Sequence, residues 1–317
     1  MPLKIGDLQM TRVPKLPKVA AVFEVSTPSY SARRAGIDHL SAALRLGGLR
    51  SFEVDHGVIM ASERGEIEFF HASGAVWARN AAAGRAAASE LRKWDGVVES
   101  KTGGRRVKLN AEASRRLLGQ ARDLLESAGL IARDADISAS VELDQVARLD
   151  AKGKEVAFGA GQATVKFAYT LEGMKVAGAG AKSLVFAEPR SVAGAFHAWR
   201  QLGGARKVEV PSVEEALGVG LLSDPELELY ARAGHSVRLS RVDFVYLALP
   251  AFMRQAHLFP ALQIEGSVSK GERGGGFDFA RYHHAVPPKA YAAADLYAPY
   301  LAANPDGIAA AGRQQKR

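Results

Sequence analysis

The string GAGAKS, from Gly178 to Ser183, comes nearest in this sequence to a phosphate-binding loop. A P-loop sets glycine directly before the lysine, in G-x-x-x-x-G-K-[ST], and leads into a helix. Here Ala181 precedes Lys182, and the residues that follow, SLVFAE, read as a strand. The string is expected to be a turn. FGAGQAT carries Gly159 and Gly161 but neither a third glycine nor a following helix, so it is no dinucleotide fingerprint. Small residues there let two backbones approach, or form a bulge.

Eight histidines offer acid–base or metal chemistry: His39, His56, His71, His197, His235, His257, His283 and His284. None stands in H-x-x-x-H on a helix or in H-E-x-x-H. His283 and His284 are adjacent, so on a strand they point to opposite faces, which argues against a metal pair. His39 follows Asp38 on a helix, where neighbours do not face each other. His197 and Trp199 share a strand face at period 2, and aromatic packing is expected there. A Ser–His–Asp triad assembles only in space, which spacing does not test. No G-x-S-x-G elbow nominates a serine. Glu214 and Glu215 fall in the first turn of a helix, where its dipole favours carboxylates without catalysis. The segment from Glu272 to His284, ERGGGFDFARYHH, reads as a connection, with a mobile binding loop as the alternative. Gly274, Gly275 and Gly276 would give it freedom, and Phe277, Phe279 and Tyr282 would anchor it.

The elements that must position these groups repeat one order, a helix and then strands. The first helix is expected to begin at Thr27 as cap with Pro28 at its first position. Ile37, Leu40 and Leu44 fall on one face, and Gly47-Gly48 ends it. Residues 51–80 then alternate short β-rich runs with turn signals at Asp55-His56-Gly57, Glu63-Arg64-Gly65 and Ser73-Gly74, a meander. Residues 100–109 form a basic break. A second helix starts at Asn110 as cap, carries the stripe Leu117, Leu118, Ala121, Leu124, Leu125 and Ala128, and stops at Gly129. Strands recur over 138–202. A third unit opens at Pro211 with Ser212 and Glu215 at capping-box spacing. Asp224-Pro225 starts another short turn, and strands return over 236–250 and 257–269. A short helix is expected around Tyr291–Tyr297.

The pattern predicts an α+β fold of repeated helix-plus-antiparallel-sheet units. The expected boundaries are an extended basic arm over 1–19, unit 1 over 20–99, a basic linker over 100–109, unit 2 over 110–207, unit 3 over 208–300 and a flexible tail over 301–317.

The composition narrows the class. Of 317 residues, 47% are hydrophobic and 24% charged, a globular balance that argues against lasting disorder. No apolar run approaches the roughly 18 residues of a membrane span. Cysteine is absent, which excludes disulfides, Cys-ligated zinc, iron–sulfur clusters and thiol catalysis. Lys4, Asp7, Arg12, Lys15 and Lys18 interrupt every apolar stretch near the start, so no secretory signal is visible and the cytoplasm is the expected compartment. No cofactor or metal is expected.

The chain carries 42 Lys and Arg against 34 Asp and Glu, a net +8, unevenly placed. Residues 1–18 hold +3, residues 92–108 hold +4 and the last seven residues +3, so the rest is slightly acidic. Such runs are normally solvated faces; the functional alternative is docking on an acidic partner. The residues nominated for that contact are Lys4, Arg12, Lys15, Lys18, Arg105, Arg106, Arg313, Lys316 and Arg317. No basic helix is interleaved with aromatics, so nucleic acid is not the expected partner.

Three stretches resemble PepSY-like proteins, in particular the multi-unit regulators of the YycH/YycI type. FAYTLEGMKVAGAGAKSLVF is similar to that group's hairpin through Tyr169, Gly173, Val176, Gly178 and Gly180. VPSVEEALGVGL is similar to the short helix that opens a unit. FVYLALP with HLFPALQIEGSV is similar to a closing hairpin through Tyr246, Pro250, Leu258, Pro260 and Gly266. The resemblance covers about residues 160–270 and, more weakly, 28–80. It implies units that bind, inhibit or regulate a partner protein and bring no catalytic residues.

The expected function is a non-enzymatic interaction module that regulates or scaffolds a protein partner with an acidic surface, as an oligomer or part of a larger complex. The alternatives are a structural subunit of an assembly, or an enzyme whose site gathers His197, Arg200, His283 and Asp278.

Overall fold

Alternation of buried and exposed residues builds most of this molecule. In the computed structural model, which describes residues 9–10, 15–81, 91–100, 106–132, 136–220, 224–269 and 276–286, strands dominate. The first half runs β1 (Gln9–Met10), β2 (Val19–Ser26), α1 (Tyr30–Ala43), β3 (Arg50–Val54), β4 (Gly57–Ser62), β5 (Gly65–Phe70), β6 (Ala75–Asn80), β7 (Val97–Ser100), β8 (Arg106–Leu109) and α2 (Ala111–Ser127). The second half runs β9 (Asp136–Leu149), β10 (Glu155–Leu171), β11 (Met174–Ala177), β12 (Lys182–Glu188), β13 (Ser191–Ala198), β14 (Gln201–Glu209), α3 (Val213–Gly220), α4 (Pro225–Arg232), β15 (Ser236–Leu247), β16 (His257–Ser269) and β17 (Gly276–His284).

The expected α+β fold of repeated helix-plus-sheet units is corrected here. Among the described residues, fifteen strands join one mixed sheet in the order β14-β2-β16-β15-β11-β10-β12-β13-β6-β5-β4-β3. To this path β9 adds beside β10, β17 beside β16 and β1 beside β15, while β7 and β8 pair apart. Only β1 and β11 run parallel to their neighbour β15. The physical reason is that the first two helices do not close separate sheets. Ile37, Leu40 and Leu44 of α1 share one core with Leu117, Ala121, Leu124 and Leu125 of α2, and that core includes Phe69, Val165, Val185 and Ala195 from four strands. The early meander joins the later strands through β13 and β6, where Gly194 to His197 pair with Arg79 to Val76. Such long-range pairing leaves no local signal.

The helices are set by local chemistry. Ser29, not Thr27, caps α1: its hydroxyl accepts the Ala32 amide at 3.2 Å. The Thr27 hydroxyl instead donates to the Ala72 carbonyl at 3.3 Å. Asn110 caps α2 through the Ala113 amide at 2.8 Å. Ser212 and Glu215 form the reciprocal box at α3, with amide contacts of 3.2 and 2.9 Å. Gly36 lets α1 cross the end of α2 at backbone contact.

A second core lies under α3 and α4. Leu217 and Leu227 pack on Leu239, Leu262, Ile264 and Phe279 from β15, β16 and β17. The segment read as a connection over 272–284 is strand β17 from Gly276 onward, paired along its length with β16. Within the basic linker, Arg106–Leu109 is strand β8, paired with β7. The helix expected around Tyr291–Tyr297 lies outside the described residues. Among the described residues, no helix is long and apolar enough to cross a membrane.

The glycine-rich string joins the two halves. Val176 and Ala177 of β11 pair with Tyr246 and Leu247 of β15. Past them, a β-carbon on Gly178 would stand 2.2 Å from the Ala248 oxygen, and one on Gly180 would stand 1.9 Å from the Leu249 oxygen. The glycines of GAGAKS therefore admit a neighbouring backbone, and β12 follows rather than a helix. Arg200, buried beside this contact, donates to the carbonyls of Leu249 at 3.0 Å and Pro250 at 3.2 Å. Gly161 falls inside a register shift of the β9–β10 ladder, between Ala160 and Ala163, and Gly159 stands just before it, as expected of a bulge.

Candidate functional site

A cavity of about 570 Å³ opens where the end of α1, the flank of α2 and the β12–β13 turn meet. Its floor is apolar. Ala113, Leu117 and Ala121 recur every four residues along α2, so one helix face supplies them. Val185 and Ala187 recur every second residue along β12 and meet that face from below. Trp94 adds an aromatic wall, its indole N–H held by the Gly161 carbonyl at 2.7 Å.

The lining also carries cations. Arg45 follows α1, Arg116 sits beside the apolar face of α2, and Arg190 is in the turn after β12. All three are exposed, and none of their side chains makes an ion pair or hydrogen bond among the described residues. The carboxylates nearby do not neutralise them. Glu188 is engaged by Arg92 at 2.7 Å and by the Gln162 amide at 3.0 Å. Asp95 is exposed and lines the cavity as well. The balance is positive around an apolar floor, which suits a ligand with an anionic group on an apolar body.

The histidine chemistry resolves differently. Ser183 Oγ lies 2.7 Å from His197 Nδ1 and is also bonded to the Tyr169 hydroxyl, across β10, β12 and β13. The partner of His197 is thus a hydroxyl, while Trp199 packs on Tyr169 at 4.7 Å between ring centroids. A hydroxyl beside an imidazole resembles a nucleophile and its base. All three side chains are buried, at 1% exposure or less, and none lines the cavity. Burial, and then the charge of Arg33, holds the His197 pKa well below its ordinary value. The trio therefore satisfies polar groups inside the core.

The four residues of the enzyme alternative are not brought together. His197 is on β13, Arg200 follows it, and His283 and Asp278 are on β17. Strands β16, β15, β11, β10 and β12 stand between β17 and β13. Asp278 is exposed, whereas His283 is buried near Asp224 and Arg281. Burial brings the His283 pKa down to about 4. Among the described residues, no cluster of three or more metal-ligating side chains occurs.

Of the basic residues nominated for a partner, Lys15, Lys18 and Arg106 are exposed. Lys4, Arg12, Arg105, Arg313, Lys316 and Arg317 lie outside the described residues. Sequence reasoning missed Arg45, Arg116 and Arg190, which are scattered along the chain and converge only in the fold. The one local signal was Arg116 beside the apolar stripe of α2.

No protein-family model matches this chain, and no curated protein matches it. Among solved structures, an uncharacterized protein from Eubacterium rectale ATCC 33656 is similar at 10% identity and a TM-score of 0.47. The similarity spans 84% of this chain and 82% of that one.

Proposed function

We propose that this protein is a non-enzymatic binding module that holds an acidic segment of a partner protein and thereby regulates or scaffolds it. The observation that carries the reading is the trio Arg45, Arg116 and Arg190, all without ion pairs among the described residues, around one apolar-floored cavity. Arginine forks onto carboxylates in two parallel hydrogen bonds, and arginine clusters recur in acidic-motif recognition. The apolar floor and Trp94 supply what such a contact otherwise lacks, a desolvated place for one bulky side chain. A cavity of this size takes a few side chains rather than a whole domain. The Ser183–His197 pair is buried in the core and takes no part in this reading.

The test uses a fluorescein-labelled peptide with one phenylalanine flanked by glutamates, followed by anisotropy at low and high salt. The expected result is saturable binding that weakens with salt and falls in an Arg116→Ala/Arg190→Ala variant. Equal binding of a peptide with glutamine in place of glutamate, or an unchanged affinity in the variant, would overturn the reading.

A further inference from the structure

Three helices of this chain end in the same hydrogen-bonding motif. After α2, the Leu130 amide donates to the Leu125 carbonyl at 2.8 Å and the Gly129 amide to Glu126 at 2.9 Å. After α4, the His235 amide donates to Tyr230 and the Gly234 amide to Ala231, both at 3.0 Å. After α1, the Leu46 amide donates to Ser41 at 2.9 Å and the Arg45 amide to Ala42 at 3.0 Å. The motif requires one residue in the left-handed conformation, and glycine is the usual occupant because a β-carbon crowds the following carbonyl. Gly129 and Gly234 fill it with φ of 61° and 81°. At α1 the occupant is Arg45, with φ of 56°, although Gly47 and Gly48 follow just past Leu46.

A non-glycine residue in this conformation is uncommon, and such residues cluster at functional sites where the surrounding structure holds them. The dipole of α1 favours a cation at this end, and its last turn has no basic residue. A lysine would serve the dipole as well. What lysine lacks is the planar fork that fits a carboxylate. Arg45 lines the cavity and makes no ion pair among the described residues.

We infer that Arg45 is the specificity-determining residue of the cavity, fixed by the left-handed cap of α1 to receive a carboxylate of the bound segment. This rests on the proposed function and adds which residue selects the ligand. Its left-handed backbone fixes where the Arg45 side chain leaves the end of α1.

The test compares wild type with Arg45→Gly and Arg45→Lys, by thermal melting and by anisotropy with the glutamate–phenylalanine peptide. Arg45→Gly relieves the backbone, so its melting temperature should equal or exceed that of wild type while peptide affinity drops by about tenfold or more. Arg45→Lys should keep the melting temperature and still lose most of the affinity. Wild-type affinity in Arg45→Lys would overturn the inference, because charge alone would then suffice. A melting temperature that falls in Arg45→Gly would overturn it too, because the arginine would then be structural. Binding that depends on Arg116 and Arg190 but not on Arg45 removes this inference and leaves the proposed function standing. Failure of wild type to bind removes both.

Discussion

Gly36 of α1 meets the carbonyl of Ala128 past the end of α2 so closely that a β-carbon on it would lie 2.2 Å from the oxygen. One turn earlier, Arg33 donates to the Gly129 carbonyl at 3.2 Å. The two helices therefore cross by backbone contact, and this crossing holds α1, with Arg45 after it, against α2. Alanine at position 36 would gain helix propensity, worth about 1 kcal/mol over glycine. The clash wins, because the obstacle is backbone and has nowhere to move. Gly36→Ala should destabilise the protein by about 1–3 kcal/mol in urea melts. It should also weaken the cavity, since a shifted α1 moves Arg45. Stability equal to wild type would show that the crossing is looser than this geometry.

The pair Arg281 and Asp224 carries the second half. Arg281 Nε reaches Asp224 at 3.1 Å and its terminal nitrogen reaches Glu226 at 2.6 Å, with Arg281 and Asp224 both buried. Asp224 also caps α4 through the Glu226 and Leu227 amides at 3.0 and 3.1 Å. Arg281→Met should cost about 3–5 kcal/mol, because it strands a buried carboxylate. Adding Asp224→Asn should recover part of that loss, since asparagine still caps and carries no charge. A double variant no more stable than Arg281→Met alone would count against the ion pair as the cause.

Glycine, not lysine, matters in the string GAGAKS. Gly180→Ala would push a β-carbon to 1.9 Å from the Leu249 oxygen, at the seam between the two halves of the sheet. Destabilisation of about 1–3 kcal/mol is expected. Lys182 is exposed, so Lys182→Ala should stay within about 0.5 kcal/mol of wild type in the same denaturation assay. A large loss at Lys182 with none at Gly180 would reverse the argument.

What the sequence made legible follows how local each signal is. The Asn110 cap, the stop at Gly129 and the box of Ser212 with Glu215 involve residues within a few positions, and each appears as read. The cap of α1 differs by two residues because Thr27 and Ser29 are both competent, and Ala72, far along the chain, takes the Thr27 hydroxyl. The sheet was not legible. Pairing of Ala195 with Ala78 joins two meanders that look independent, so repeated units were the natural reading of the pattern. Glycines before Phe277 hid β17, whose strand character comes from β16 beside it. The cavity was hidden for the same reason: Arg45, Arg116 and Arg190 meet only after α1, α2 and β12 share a core.

Acid should destabilise the fold through the buried imidazoles of His197 and His283 and the partly buried one of His284. Burial lowers the pKa of His283 to about 4, with Asp224 opposing the shift and Arg281 adding to it. Burial and then His283 bring His284, stacked on Phe259, down to about 4 as well. His197 lies well below its ordinary value by burial and the nearby Arg33. In the unfolded chain each titrates near 6.5. Between about pH 6.5 and 4 the unfolded state takes up protons that the folded state refuses, so stability is full above this window and declines as pH falls through it. A shift of this size corresponds to about 3 kcal/mol for either His283 or His284 at the bottom of the window. His197 extends the decline further into acid. His283→Gln removes one of the titrating groups, and its Nε2 has no hydrogen-bond partner to lose. Urea unfolding at neutral pH and at a pH of about 4.5 should show a steep loss in wild type and a shallower one in the variant. Parallel profiles would mean that His283 is already charged in the folded protein.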